Sequence, residues 1–198
     1  SAVEVRLYVY QTYQAVAEKY YLSGTTDKCY AILHQLSKYG HLEALVSIVT
    51  HRLDEVGKCS DAHEKKTAST EAINEVSAYD TAMILNAEVY RNLWTEKIKA
   101  VLEICNTLDH KQAVVECENL TQEVRNVGFD KAYTDEKIEL LRKCIIKSKY
   151  VIARELEINN DFNAAILAYK EINALENKRT PTLSVLRFIL CKLKFECT

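Results

Sequence analysis

The stretch "NNDFNAAILAYKEI", residues 159–172, places a small acidic turn ahead of an alanine-rich apolar run. The same plan recurs in "TTDKCYAILHQL" (25–36) and "LDHKQAVVECENL" (108–120). Aligned on Asp27, Asp109 and Asp161, each segment has alanine four residues later, at Ala31, Ala113 and Ala165. A pair of branched aliphatics follows: Ile32–Leu33, Val114–Val115 and Ile166–Leu167. An aspartate in the first turn accepts from unpaired backbone N–H groups and suits the positive end of the helix dipole. Alanine one turn later lets the preceding helix approach, and the aliphatic pair fills the groove between the two. Such helix pairs cannot bury all their apolar surface alone and must stack on neighbours.

Outward from these turns the chain reads as helical throughout. Apolar Val5, Val9, Tyr13, Val16 and Tyr20 repeat at helical spacing over 3–22, with Gly24 as a left-handed end. A second helix is expected over 26–39, ending at Gly40, and a third, "HLEALVSIVTHRLDEV", ending at Gly57. Residues 58–70, "KCSDAHEKKTAST", form the most polar and least periodic stretch and read as a linker or exposed loop, although the lack of Gly and Pro allows some helix. A long helix over about 72–105, interrupted near Asp80, carries the stripe Ala87, Tyr90, Trp94, Ile98, Val101 and Cys105. Asp109 opens the next, which ends before Gly128. Over 134–158, Leu141, Ile145, Ser148, Ile152 and Leu156 share one face, with Lys143, Lys147, Tyr150 and Arg154 opposite. Helices over 161–175 and 181–195, the latter with Thr180 as cap and Pro181 at its first position, bring the expected number to about nine.

Composition supports an all-α chain. Only four glycines and one proline occur in 198 residues, too few for the frequent turns of a sheet protein. The formal charge is −2, but residues 1–141 carry 15 Lys/Arg against 22 Asp/Glu, and residues 142–198 carry 11 against 6. Both parts mix the two signs, so the tilt marks either a partner-binding end or no more than a solvated surface. The seven cysteines lack any C-x-x-C pair and sit in apolar helical surroundings, as expected for reduced, buried thiols in a cytoplasmic or nuclear protein. No apolar run is long enough to span a bilayer. The start lacks a basic signal-peptide head, and the last helix stops without a cap, so the chain reads as part of something longer.

The recurring turn resembles the tetratricopeptide repeat, a helix–turn–helix unit of about 34 residues. "YVIARELEINNDFNAAILAYKEI" (150–172) carries the resemblance best: Ala165 falls on the small residue of the second helix and Tyr169 on the aromatic four positions later. Ile152 and Ala153 fall on the Leu-Gly positions of the first helix. Lys149, Leu156 and Asn177 stand where the family has tryptophan, tyrosine and proline, and the aspartates are 82 and 52 residues apart. The resemblance implies a divergent tetratricopeptide-like α-solenoid of antiparallel hairpins, one helical-repeat domain over 1–198. The alternative is an ordinary helical bundle whose helix starts use Asp and Ala.

Chemistry-bearing patterns are sparse. The five histidines form no H-E-x-x-H, and the four glycines form no phosphate-binding loop. Cys29 and His34 are five apart on one helix, which splays them, while Cys105 and His110 flank a turn and can approach. No enzyme activity, metal or cofactor is expected. The twelve tyrosines include five in the first helix, too many for one buried stripe, so some face solvent or an interface. The resemblance implies a protein–protein interaction scaffold within a larger intracellular complex, with Lys143, Lys147, Tyr150 and Arg154 as candidate partner-binding residues. Its partners would be proteins, acidic segments among them; a homodimer through the exposed end helices is a further arrangement. The alternatives are a regulatory arm of a large enzyme or kinase and, less favoured given the acidic chain, a nucleic-acid-binding helical module. No membrane association is expected.

Overall fold

The computed structural model of the chain describes residues 2–176, 187 and 189–193. Among them there are eight α-helices and no strand: α1 (Ala2–Leu22), α2 (Thr26–Lys38), α3 (Leu42–Lys58), α4 (Ala62–Val76), α5 (Glu88–Cys105), α6 (His110–Val127), α7 (Lys131–Ile158) and α8 (Phe162–Glu176). A short 3-10 turn, Thr81–Met83, lies between α4 and α5. The all-α expectation holds. The helix expected over 181–195, with Thr180 and Pro181 at its start, lies for the most part outside the described residues; Arg187 and residues 189–193 are helical. No described helix is long and apolar enough to cross a membrane.

The chain divides into two compact units, Ser1–Ala100 and Val101–Thr198. In the first, α1 packs on α2, α2 on α3 and α3 on α4; in the second, α6 packs on α7 and α7 on α8. Sequential packing follows from the connections, which are three residues long at each of these joints and leave the chain no route but back along the helix just completed.

Three of the joints share one backbone device. At Gly24, Gly40 and Asn160 the chain turns left-handed, with φ of 77°, 78° and 61°. The next residue, Thr25, His41 or Asp161, donates its N–H five residues back, to Tyr20, Leu36 and Leu156 at 2.9, 3.2 and 2.9 Å. This is the Schellman closure. The donor residue then opens the following helix, since Cys29, Leu45 and Ala165 donate to the carbonyls of Thr25, His41 and Asp161. The side chains of Asp61, Asp109, Asp130 and Asp161 cap helix starts by accepting backbone N–H groups, and the His41 ring accepts from Ala44.

Four features depart from the sequence reading. Residues 62–76, expected as part of a linker or loop and then the start of a longer helix, are α4; Asp61 caps it and Glu64 reaches back to the Ser60 N–H at 2.9 Å. Gly57 lies inside α3 rather than closing it. In α2 the cap position is Thr25, not Asp27, so the repeat is shifted by two: Cys29, Ala113 and Ala165 are the equivalent small residues, each fully buried. Ala31 is exposed. Counting from Thr25, Asp109 and Asp161, the positions four, eight and eleven residues on are all buried: Cys29, Leu33, Leu36; Ala113, Cys117, Leu120; Ala165, Tyr169, Ile172. The second aliphatic of each pair in α6 and α8 does not fill a groove, for Val115 is 55% and Leu167 62% exposed.

This register is testable by small-to-large substitution. Ala31→Leu is expected to leave the unfolding free energy within about 0.5 kcal/mol of the parent. Ala113→Leu is expected to lose about 1–3 kcal/mol by overpacking the α6 contact, measured by urea denaturation.

Candidate functional site

Helix α1 carries two stripes, and the structure uses the less apolar one for packing. Tyr10, Gln14, Ala17 and Tyr21 recur at spacings of four, three and four, and find partners in the first unit. Tyr10 meets the His41 ring edge-on at 4.8 Å, and Gln14 bonds the Ser47 hydroxyl at 3.2 Å. Tyr21 stacks on His51 at 3.6 Å with the rings nearly parallel, and donates to the His51 carbonyl at 3.3 Å. The stripe that marks the helix in the sequence faces solvent along most of its length: Val5 is 64%, Val9 41%, Tyr13 53% and Val16 37% exposed, with Tyr8 beside them at 72%. These side chains lie along one exposed side of α1, with Thr12 among them bonding the Tyr8 carbonyl at 2.8 Å.

The four α7 residues singled out in the sequence separate into two pairs. Lys143 and Lys147 are exposed. Tyr150 is half-buried against the cluster of Ala153, Ala165, Tyr169 and Ile172, and meets Tyr169 edge-to-face at 5.8 Å. Arg154 donates to Glu157 at 3.2 Å. The Glu157 carboxylate is 5% exposed and also accepts from the Tyr169 hydroxyl at 3.2 Å and Arg187 at 3.3 Å. Burial first, then the facing carboxylate, pushes the Tyr169 hydroxyl above the usual tyrosine range, so it stays a donor. Among α6, α7 and α8, Lys149 sits 3.0 Å from Glu171 and 3.8 Å from Glu118, beside a groove of about 190 Å³ lined by Lys111, Val114, Ile152 and Ala168.

The first unit holds a polar cluster that no sequence pattern announces. Glu75 of α4 accepts from His34 of α2 at 2.7 Å and from two nitrogens of Arg52 of α3 at 2.6 and 3.1 Å. Arg52 also binds Glu55 at 2.7 Å and lies over the Tyr30 ring, 4.0 Å from its centroid. The Tyr30 hydroxyl donates to Glu55 at 3.0 Å, and the other His34 nitrogen pairs with the Tyr79 hydroxyl. Burial alone would raise the Glu75 carboxyl, but the hydrogen bonds from His34 and Arg52 outweigh it and hold the carboxyl at about 2.

Cys29 pairs with His51 rather than with His34. Its Sγ lies 3.7 Å from His51 Nδ1, while His51 Nε2 is 3.0 Å from Glu18. The order thiol, imidazole, carboxylate is that of a nucleophile, its base and an orienting group. The environment opposes that use: Cys29 is fully buried, and burial, then Glu18 and Glu55, push its thiol up to about 11. A nucleophilic thiol needs the opposite shift and an open approach. Cys105 likewise turns from His110 toward Cys117 and the Ala113 carbonyl, both at 3.7 Å. The grouping of Cys105 with Cys117 and Cys144 escaped the sequence reading because it joins three helices; its one trace is that Cys117 takes the register position held by Leu33 and Tyr169 elsewhere.

No family model matches the chain, and neither a curated protein nor a solved structure matches it.

The Glu75 cluster sets a pH dependence. Its carboxyl binds a proton near 4.5 when unfolded and near 2 when folded, so the stabilisation is complete above about pH 5 and is lost as the pH falls toward 2. Glu75→Gln is expected to lower stability by about 2–3 kcal/mol at neutral pH, with the gap to the parent closing between about pH 5 and 2 in chemical denaturation.

Proposed function

We propose that the chain is a protein-binding helical-repeat module, a tetratricopeptide-like α-solenoid segment that serves as a scaffold within a larger intracellular assembly. The observation that carries the reading is the exposed face of α1, whose Val5, Tyr8, Val9, Tyr13 and Val16 form an apolar ridge on a helix already anchored by its other side. Its occupant is an amphipathic helix of a protein partner: the ridge carries no charge, and the inner side of α1 is itself covered by helices. The three Schellman joints and the burial register shared by α2, α6 and α8 support the repeat character, and Ala153 and Ala165 pack in one cluster as the resemblance implies. Lys143 and Lys147 supply a second, basic surface suited to an acidic segment; Tyr150 and Arg154 support α8 instead.

Two variants separate these surfaces. Val9→Glu with Tyr13→Glu is expected to abolish photo-crosslinking from a probe at position 5 to a helical protein partner in cells, while the melting temperature stays within about 2 °C of the parent. Lys143→Glu with Lys147→Glu is expected to leave that crosslink intact. Unchanged crosslinking by the α1 variant overturns the reading, and a crosslink from one copy of the chain to another makes the occupant a second copy.

A further inference from the structure

Cys105 closes α5, Cys117 lies in the middle of α6 and Cys144 in the middle of α7. Their three Sγ atoms lie within 4.8 Å of one another, with Cys105 and Cys117 at 3.7 Å. A cation bound to three thiolates at about 2.3 Å, in the plane of the sulfurs, sets them about 4.0 Å apart. The Cys105–Cys117 spacing is near that value and no pair is more than 4.8 Å apart, so side-chain shifts of under about 1 Å would close a trigonal site. Cys105 is 5% exposed and Cys117 fully buried, while Cys144 is half-buried and offers the route of entry.

We propose that Cys105, Cys117 and Cys144 form a three-thiolate site for a soft, thiophilic metal cation. The donor set decides the class. No histidine, aspartate or glutamate shares the group among the described residues, which excludes the oxygen-seeking cations and favours cuprous copper, with zinc accepted where a water adds the fourth donor. Binding breaks three S–H bonds and forms three S–metal bonds; the three protons pass to water and no electron is transferred. Burial raises the thiols of Cys105 and Cys117 in the metal-free chain. The remaining described cysteines are dispersed: Cys29 faces His51, Cys59 faces the Glu55 carbonyl and Cys191 lies in the α7–α8 cluster.

The test titrates the reduced chain, without oxygen, with Cu(I) held by a competing chelator and separately with Zn(II). One equivalent of at least one metal is expected per chain, with three thiols withdrawn from a maleimide reagent and three sulfurs near about 2.3 Å in X-ray absorption. Cys144→Ala, at the half-buried position, is expected to retain helical circular dichroism and weaken binding by more than about tenfold, whereas Cys59→Ser leaves it unchanged. Failure of both metals to bind at one equivalent, or binding that persists in a folded Cys105→Ser, Cys117→Ser, Cys144→Ser variant, overturns the proposal. If the triple variant unfolds, peptide mapping of the maleimide-protected thiols in the parent decides: protection of any other cysteines overturns it.

Discussion

Thr25, His41 and Asp161 each belong to two helices at once. The N–H closes the helix before, and the carbonyl accepts the first bond of the helix after. No residue is left between the two to absorb an error of phase, so the rotation of the second helix about its axis is set by the first. The positions four, eight and eleven residues past the joint then turn back onto the preceding helix, which is why they are buried in α2 and α8 with different side chains. The geometry depends on a left-handed residue just before the joint. Glycine supplies it twice, and Asn160 does so once at the cost an ordinary side chain bears there. The α5–α6 joint reaches the same burial register without a left-handed residue, through the Asp109 cap alone. The cap position, more than the turn, therefore defines the repeat.

Helix positions were legible because they rest on local signals. The stripe Tyr90, Trp94, Ile98, Val101 and Cys105 is buried as its spacing requires, and so are Leu141, Ile145 and Ser148. The failures have physical causes. In α4 the buried side is Ala62, Ser69, Ala72, Ile73 and Val76, a helical stripe of mostly small or polar residues that apolar periodicity does not register. In α2 Thr25 and Asp27 compete as cap, and the acid attracts the eye. Gly24 decides for Thr25, because the left-handed turn there brings the Thr25 N–H back onto the Tyr20 carbonyl and leaves the Thr25 carbonyl to accept from Cys29. The surroundings of the candidate site residues were not legible for a related reason. A helix contacting a single neighbour has one free side, but the 28-residue α7 packs against both α6 and α8, and Tyr150 and Arg154 belong to the second contact.

Polar clusters hold the helix pairs to one alignment. Glu75 joins α4 to α2 and α3, His51 joins α3 to α1 and α2, and Glu157 joins α7 to α8. An apolar ridge can slip against its groove by part of a turn and lose little. A low-exposure carboxylate with three donors cannot, since a slip leaves charge unpaired where water is scarce. The hydrophobic contacts thus supply cohesion, and the carboxylates select the alignment. This division of labour explains why the chain tolerates a buried Glu157 and a partly buried Glu75 in helices that already pack well.

Helix α1 applies the same logic with a functional consequence. Its inner side meets the bundle through Tyr10, Gln14 and Tyr21, whose polar groups match His41, Ser47 and His51, and its more apolar side is left to water. Covering the ridge of Val5, Tyr8, Val9, Tyr13 and Val16 would be worth on the order of 5 kcal/mol, taking each as about half exposed. Association of two free molecules costs a comparable amount in lost translation and rotation. The ridge by itself therefore supports only a weak encounter between separate proteins. A stable contact needs a second surface bound at the same time, or a tether that raises the effective concentration of the incoming helix. On the proposed reading, a face of this strength would act alongside other modest contacts within an assembly.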